Sequence, residues 1–255
     1  MLSVDRRKYI LDQLKATGSV RVDRLADELG VTQMTIRRDL DKLEDDVTVK
    51  RTHGGAVLYS HLHDEEEYEE KQGKNRDVKQ ALAKVANELI RDHTTVLIDA
   101  GTTTYELALL LRYRKDLVIV TGDLKIASAL YRSDNEVYFI GGKLEKKTGT
   151  VMETDTNSFL DFINIDYVFM GTSAIGYDGF LSTTTLSKAN IKKRIFNIAH
   201  KKILLVDETK FDKEAFAKIV PIQKFDIVIT NKIFDEELQS VLDEEGVIVK
   251  TVKED

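Results

Sequence analysis

The sequence contains no cysteine, which excludes disulfide bridges and metal sites built from thiolates. It has no run of about 18 apolar residues, the length that a membrane-spanning helix requires, and we expect no membrane partner. The first residues, MLSVDRRKYILDQL, mix charged and apolar side chains at helical spacing, unlike a secretory signal peptide. These absences favour a cytoplasmic protein, and 255 residues suffice for one large domain or two smaller ones with substantial cores.

Two nucleotide-binding motifs are also absent. The chain has neither the GxGxxG pattern of dinucleotide sites nor the GxxxxGK[ST] pattern of nucleoside-triphosphate sites, so neither ligand is indicated. His61 and His63 lie beside a run of acids, but nothing near them in sequence completes the coordination sphere of a metal. A solvated linker explains them better, and we expect no cofactor and no metal.

The negative charge is distributed unevenly along the chain. In total, 38 Lys and Arg face 44 Asp and Glu, a net charge of −6. Residues 1–57 hold 11 basic and 10 acidic side chains, a net of +1, which leaves 27 against 34, a net of −7, for the remainder. Basic groups near the beginning must therefore be clustered if they are to bind a polyanion.

Residues 22–43 have the pattern of a helix-turn-helix. A first helix has an apolar face, and Gly30 follows it where a helix ends in left-handed backbone. In the second helix, apolar residues recur every three or four positions and predict an inward face: Val31, Met34, Ile36, Leu40 and Leu43. The opposite side and the helix start hold residues that can meet base edges and phosphates in the major groove of DNA: Thr32, Gln33, Thr35, Arg37 and Arg38.

A basic hairpin follows this helix. The sequence predicts short strands at 48–51 and 56–58, joined by a turn that contains His53, Gly54 and Gly55. Lys50, Arg51 and His53 can contact phosphates, and Gly54 lets the backbone approach one closely. Together these features predict a winged helix-turn-helix. An ordinary amphipathic helical domain with solvated charges is the alternative.

The acid-rich stretch 58–75 breaks the apolar periodicity and predicts a linker. It separates a DNA-binding domain at 1–57 from a larger domain at 76–255. In the larger domain, short apolar runs such as 95–99 alternate with amphipathic helices such as 103–111. This alternation predicts an α/β fold with a mostly parallel sheet, in which ligands bind at the carboxyl ends of the strands.

Residues 99–104 follow a predicted strand and begin a helix. Gly101 permits a tight turn, and the amides and hydroxyls of Thr102, Thr103 and Thr104 form a cradle that suits an anion such as phosphate. A simple helix cap with hydroxyl residues in the first turn explains this segment about equally well.

Other strand ends carry polar or glycine-rich segments, which a parallel sheet would gather at one edge. Lys143 and Lys210 can neutralise a phosphate there, while Asp99 and Asp123 receive sugar hydroxyls. The remaining candidates for this ligand site are Thr121, Gly141, Gly142, Gly171 and Thr172. Each lysine taken alone is better explained as a solvated surface residue, and only their convergence indicates a site.

Six segments, in this order, resemble the DeoR family of bacterial transcription regulators along essentially the whole chain: RRDL at 37–40, KRTHGGA at 50–56, IDAGTTT at 98–104, GG at 141–142, MGTSAI at 170–175 and VDETKF at 206–211. The resemblance implies a winged-helix head and an effector domain related in fold to ribose-5-phosphate isomerase. It also implies a repressor of a sugar-utilisation operon, which binds an operator in double-stranded DNA and is released by a phosphorylated sugar.

An active sugar-phosphate isomerase with a DNA-binding head is the main alternative. In the isomerases that the larger domain resembles, one strand end carries two carboxylates, whereas the segment here is Met170-Gly171-Thr172-Ser173. Asn190, where many relatives have glutamate, cannot act as a base either. We therefore expect a sensor and not an enzyme, assembled as a homo-oligomer, a dimer or a tetramer, with paired heads. A structural or protein-interaction module is the third possibility.

Overall fold

The computed structural model describes residues 2–17, 19–44, 49–52, 54–58, 61–62, 67–152 and 156–253. The chain divides into two compact units. The first comprises Met1–His61 with Asp212–Glu214, and the second comprises Leu62–Phe211 with Ala215–Asp255.

The first unit contains a helix-turn-helix followed by a hairpin, as the sequence predicts. Its helices and strands are α1 (Ser3–Thr17), β1 (Ser19–Arg21), α2 (Val22–Leu29), α3 (Gln33–Glu44), β2 (Val49–Thr52) and β3 (Gly55–Leu58). The strands form an antiparallel sheet in the order β1-β3-β2. Gly30 follows α2 in left-handed backbone at φ 61°, where glycine is favoured.

The core of the first unit is apolar and joins its three helices to its sheet. The buried side chains are Ile10, Leu14, Val22, Leu25, Ala26, Ile36, Leu40, Leu43, Val49 and Ala56. Met34, which the periodicity places on the inward face of α3, is instead 58% exposed. Met34 lies two residues before Ile36, and two residues correspond to about half a helical turn. The Met34 side chain therefore points away from the inward face on which Ile36 lies. Asp39 lies on that face and forms ion pairs with Arg6 at 2.5 Å and Arg7 at 3.7 Å.

The second unit alternates helices and strands. Its helices are α4 (Tyr68–Gly73), α5 (Arg76–Asn87), α6 (Thr102–Leu111), α7 (Leu124–Leu130), α8 (Thr156–Asp161), α9 (Leu186–Ile198) and α10 (Glu236–Glu244). The strands that follow β3 in the chain are β4 (His61–Leu62), β5 (Thr95–Ile98), β6 (Val118–Thr121), β7 (Glu136–Phe139), β8 (Lys143–Glu145), β9 (Thr150–Met152), β10 (Ile165–Met170), β11 (Ala174–Ile175), β12 (Phe180–Thr183), β13 (Ala199–Leu205), β14 (Glu214–Ala215), β15 (Ala217–Pro221), β16 (Ile227–Thr230) and β17 (Ile248–Thr251).

Seven of these strands form one parallel sheet in the order β17-β16-β13-β10-β5-β6-β7. Alternate residues of β10 pack into different apolar clusters, Val168 and Met170 into one and Tyr167 and Phe169 into the other. Residues of α9 and α10 belong to the first cluster, and residues of α5 and α6 belong to the second. Both faces of the sheet are therefore covered, which explains the continuous apolar runs and confirms the predicted α/β fold.

Smaller elements surround this sheet. Strands β8 and β9 form an antiparallel hairpin, and β11, β12 and β15 form an antiparallel sheet. Within the stretch that the sequence assigns to a linker, α4 is helical and the Tyr68 side chain is buried. Of the helices in the described ranges, none combines the length and the apolar character needed to cross a bilayer.

Candidate functional site

The exposed side of α3 carries the polar residues that the sequence predicts for DNA binding. Thr32 precedes the helix, and its hydroxyl accepts a hydrogen bond from the Thr35 N–H at 3.2 Å, so Thr32 caps the first turn. The Thr35 side chain is half-buried, with its hydroxyl 2.9 Å from that of Thr32. Gln33, Arg37 and Arg38 are exposed. The helix start thus presents one amide and two guanidinium groups to solvent.

Arg51 connects the hairpin to α3. Its Nε lies 3.2 Å from Asp41 Oδ1, and a terminal nitrogen donates to the Gly55 carbonyl at 3.3 Å. These contacts give Arg51 a structural role beside the phosphate contact that the sequence predicts for it. Lys50 lies in β2, and His53 lies outside the described residues.

Gly55 of the hairpin is needed for close packing against β1. A Cβ atom at Gly55 would lie 1.9 Å from the Val20 carbonyl oxygen, so no larger residue fits there. The Gly54 carbonyl accepts a hydrogen bond from the Val22 N–H at 2.8 Å, while Gly54 itself is exposed. The hairpin backbone is thereby attached at the point where α2 begins.

In the second unit, a cavity of about 140 Å³ lies at the carboxyl ends of four adjacent strands, β13, β10, β5 and β6. The structure brings nine of the predicted ligand residues to its wall: Asp99, Gly101, Thr102, Thr103, Thr104, Asp123, Gly171, Thr172 and Lys210. This edge is where ligands of open α/β sheets bind.

The loop between β5 and α6 presents a helix start to the cavity. Thr102, Thr103 and Thr104 form the first turn of α6 and are buried, and the preceding Gly101 has no side chain with which to cap them. The N–H groups of a first helical turn lack carbonyl partners within the helix and carry partial positive charge. Thr104 donates its hydroxyl hydrogen to the Gly101 carbonyl at 3.0 Å, which fixes the loop. The segment is suited to an anion.

Asp99 and Lys192 form a buried ion pair at the wall of the cavity. The Lys192 ammonium also donates to the Gly171 carbonyl at 2.9 Å, and the Gly171 N–H donates to Asp99 Oδ2 at 3.2 Å. The charge of Asp99 is therefore balanced within the protein, which limits what its carboxylate can offer to a ligand.

Asp123 differs from Asp99 because no basic side chain of the described residues forms an ion pair with it. Oδ1 accepts hydrogen bonds from the Lys125 and Ile126 N–H groups at 2.8 and 3.1 Å, which caps α7. Oδ2 has no hydrogen-bond partner among the described residues and is sealed from solvent. Burial raises the pKa of Asp123 to about 6, and the nearby charge of Asp99 acts in the same direction. An acceptor without a donor thus borders the cavity.

Four residues of the predicted ligand site do not border the cavity in the described structure. Gly141, Gly142 and Lys143 are exposed where the chain leaves the edge strand β7 and enters β8. Thr121 is buried in β6, donates to the Ile98 carbonyl at 2.9 Å and accepts from the Asp123 N–H at 3.2 Å. Thr121 therefore positions Asp123 and does not face the ligand space.

Sequence reasoning missed several lining residues that lie on helices. Lys188 and Lys192 of α9 are both buried at the wall, and Lys188 lies 3.4 Å from Glu145 of the β8–β9 hairpin. Their spacing of four residues places them on one helix face, but the same spacing is also typical of a solvated face. Tyr68 and Lys71 come from α4, inside the predicted linker. Asn190 of α9 is exposed and does not line this cavity in the described structure; it lines an adjoining cavity that shares Asp99.

A helix-turn-helix with a basic exposed helix start, carried by the same chain as a ligand cavity in an α/β unit, defines a ligand-responsive DNA-binding regulator. Comparison with known families agrees: residues 6–61 match the DeoR-like helix-turn-helix domain, and residues 74–232 match the DeoR C terminal sensor domain. The chain belongs to the DeoR family of transcriptional regulators.

Individual relatives match along nearly the whole chain. The HTH-type transcriptional regulator GlpR of Haloferax volcanii is 32% identical over 249 residues, 98% of this chain and 98% of the relative. The lactose phosphotransferase system repressor of Lactococcus lactis is 34% identical over 239 residues, 92% and 93% of the two chains. Among solved structures, ribose 5-phosphate isomerase A of Methanocaldococcus jannaschii is 17% identical, with a TM-score of 0.41 over 54% of this chain and 55% of the other.

Proposed function

We propose that this regulator represses a sugar-utilisation operon and that a phosphorylated sugar releases it from its operator. The observation that carries the proposal is the cavity, where an uncapped helix start, buried lysines and buried carboxylates meet. Helix starts and lysines suit a phosphate, whereas carboxylates suit sugar hydroxyls. The name of the Lactococcus relative, a repressor of a sugar phosphotransferase system, supports the same assignment.

The phosphate is best placed at the first turn of α6. There the N–H groups of Thr102, Thr103 and Thr104 point toward the end of β5, and Lys210 approaches from the segment after β13. Lys192 is committed to Asp99, so it contributes to the phosphate site mainly by keeping that carboxylate from repelling the anion.

In the first unit, the start of α3 enters the major groove and the hairpin lies along the phosphate backbone. Gln33, Arg37 and Arg38 read or contact the DNA from the helix, while Lys50, Gly54 and, in the segment outside the described residues, His53 contact phosphates. A homo-oligomer presents paired heads to repeated half-sites. A DNA-binding regulator of this kind acts in the cytoplasm.

We also propose that the cavity binds its sugar phosphate without converting it. Isomerisation of a sugar phosphate requires a base that reaches a carbon-bound proton and a group that polarises the carbonyl. Asp99 is paired with Lys192, and the strand end at 170–173 carries no carboxylate. Asp123 lines the cavity and its raised pKa suits a base, so enzymatic turnover has to be measured directly. Incubation with ribose 5-phosphate and with hexose phosphates should give no isomer at an enzymatic rate.

The proposal as a whole is tested by DNA release. An operator fragment selected from random double-stranded DNA is bound to the labelled full-length protein, and hexose, pentose and glycerol phosphates are added one at a time. At least one sugar phosphate should lower the DNA affinity, whereas the unphosphorylated sugar should not. If none of the compounds changed the affinity for DNA, the proposal would be contradicted.

A further inference from the structure

Two polar atoms at the cavity wall have no hydrogen-bond partner within the described ranges. They are Oδ2 of Asp123 and the hydroxyl oxygen of Tyr68, and both are sealed from solvent. Asp123 is 0% exposed and Tyr68 is 5% exposed. Buried polar atoms in folded proteins nearly always have partners, so two orphaned atoms at the wall of one cavity indicate that the ligand supplies the missing partner.

We propose that Asp123 and Tyr68 form a hydroxyl subsite of this cavity, which takes an uncharged, hydroxyl-bearing end of the ligand and thereby holds helix α4. The inference rests on the proposed function, because it takes the ligand to be a phosphorylated polyol. It adds the orientation of that ligand and the helix that responds to it.

The chemistry of the two atoms selects a hydroxyl group. An ionised carboxylate only accepts hydrogen bonds, whereas a phenol both donates and accepts. A ligand hydroxyl can donate its hydrogen to Asp123 Oδ2 or accept the hydrogen of the Tyr68 hydroxyl, and a polyol carries hydroxyls for both atoms. A phosphate would be repelled by the Asp123 carboxylate. The phosphate therefore binds at the start of α6, and the polyol end of the ligand reaches Asp123.

Neighbouring residues hold both side chains in place. The Lys125 ammonium lies 3.9 Å from the centre of the Tyr68 ring and donates to the Thr148 carbonyl at 3.1 Å. The Tyr105 ring packs edge-on against Tyr68, with 6.3 Å between the ring centres. The Asp123 backbone is fixed by Thr121. The subsite is preorganised by residues of α6, α7 and the β8–β9 hairpin.

Helix α4 is attached to α5 near its carboxyl end, and Tyr68 at its amino end lines the cavity. At its carboxyl end, the buried Lys79 ammonium of α5 donates to the carbonyls of Lys71 and of Lys74, the latter at 2.6 Å. At its amino end, Tyr68 is the first helical residue, a few positions after Leu62, where the second unit begins. A ligand hydroxyl bonded to Tyr68 adds a contact at this second end, so α4 opens less often when the ligand is bound.

The test compares Tyr68→Phe, which removes only the hydroxyl, with Tyr105→Phe as the matched control. Tyr105 packs on the same ring but does not border the cavity in the described structure. Calorimetry on the full-length protein measures the affinity for inorganic phosphate and for fructose 1-phosphate, fructose 6-phosphate, ribose 5-phosphate and glycerol 3-phosphate. Tyr68→Phe should weaken the best-bound sugar phosphate about tenfold, as expected for one lost hydrogen bond. Its affinity for inorganic phosphate, and all affinities of Tyr105→Phe, should not change.

Hydrogen exchange of the backbone amides at 67–75 provides the second measurement. The best-bound sugar phosphate should slow exchange there in the wild-type protein, and inorganic phosphate should not. If Tyr68→Phe weakened neither ligand or weakened both equally, or if α4 exchanged at the same rate with and without the sugar phosphate, the subsite would be overturned while the proposed function stood. If the wild-type protein bound no sugar phosphate at all, the proposed function would fail together with the subsite.

Discussion

Among single residues, Asp123 has an environment unlike that of an ordinary surface carboxylate. Burial raises its pKa from 3.8 to about 6, and the charge of Asp99 adds to this effect. The N–H groups that Asp123 caps and the ammonium of Lys125 act in the opposite direction but are outweighed. Near neutral pH the folded protein thus holds a charge that burial disfavours, and unfolding relieves it.

Replacement of Asp123 by Asn should therefore stabilise the second unit at high pH. Asn keeps an oxygen that can cap α7 but carries no charge, and a shift of about two pKa units corresponds to roughly 3 kcal/mol. Because the pKa is raised in the folded state, the penalty is complete above pH 6 and disappears as the pH falls toward 4. Thermal unfolding from pH 4.5 to pH 8 should give Asp123→Asn a higher melting temperature at pH 8 and a shrinking advantage at lower pH. A variant that is less stable than the wild type at pH 8 would contradict this account of the site.

At the scale of elements, α1 and α3 are joined by a polar contact inside an apolar core. Asp39 of α3 is 4% exposed and pairs with Arg6, which is 9% exposed, whereas Asp41 of the same helix pairs with Arg51 while mostly exposed. A buried charge that loses its partner is much more unfavourable than an exposed one. The two aspartates, two positions apart, therefore form a matched pair for mutation.

We predict that Asp39→Asn destabilises the first unit by about 3 kcal/mol and that Asp41→Asn changes it by less than about 1 kcal/mol. Amide exchange of α1 in the full-length protein measures this, because loss of the pair allows α1 to separate from α3 more often. Asp39→Asn should speed exchange throughout Ser3–Thr17, and Asp41→Asn should leave it near the wild-type rate. Equal effects of the two substitutions would show that burial does not decide the strength of these pairs.

The elements also explain how much of the fold and the site the sequence could predict. Residues 99–104, 122–123 and 171–172 follow strands, and a parallel sheet brings strand ends to one edge, so their proximity could be inferred from order alone. Gly141–Lys143 also follow a strand, but β7 is the edge strand of the sheet and the chain leaves the cavity there. The inward position predicted for Met34 is wrong because Met34 lies two residues, about half a helical turn, from Ile36. The inward face of α3 includes the charged Asp39 instead, which a hydrophobic pattern cannot identify.

The cavity-lining residues that lie on helices could be identified only from the three-dimensional structure. Lys188 and Lys192 are charged residues four positions apart in the sequence. Only the packing of α9 against the sheet buries them, beside Glu145 and Asp99 respectively. Tyr68 lies within an acid-rich stretch whose composition predicts no packed structure. Its burial depends on Tyr105 and Lys125, which are distant in sequence, so no local signal marks it.

For the molecule as a whole, the uneven distribution of net charge between residues 1–57 and the rest of the chain affects DNA binding. Residues 1–57 carry a net charge of only +1, so binding depends on the placement of a few arginines and lysines and not on a general positive field. Each phosphate contact releases counterions, which makes the affinity depend on salt concentration.

Arg38→Ala should weaken DNA binding at all sequences and reduce the slope of log affinity against log salt by about 1, the value for one lost phosphate contact. Arg91→Ala, an exposed arginine of the second unit, serves as the control and should change neither quantity. Fluorescence anisotropy of a labelled operator between 50 and 200 mM salt, a range of roughly half a decade that suits such slopes, gives both values. If Arg38→Ala had the same salt dependence as the wild type, Arg38 would not contact a DNA phosphate.

We propose that a ligand in the cavity of the second unit lowers the DNA affinity of the first, which requires the ligand to bind the DNA-free form better. The most direct test is the operator affinity of the wild type and of the double variant Thr103→Val/Lys210→Ala, each measured with and without the sugar phosphate that binds best. We predict that the sugar phosphate releases the wild type, while the double variant binds the operator as the wild type does without ligand and stays bound when the ligand is added. Release of the double variant at the same ligand concentration as the wild type would contradict the central claim.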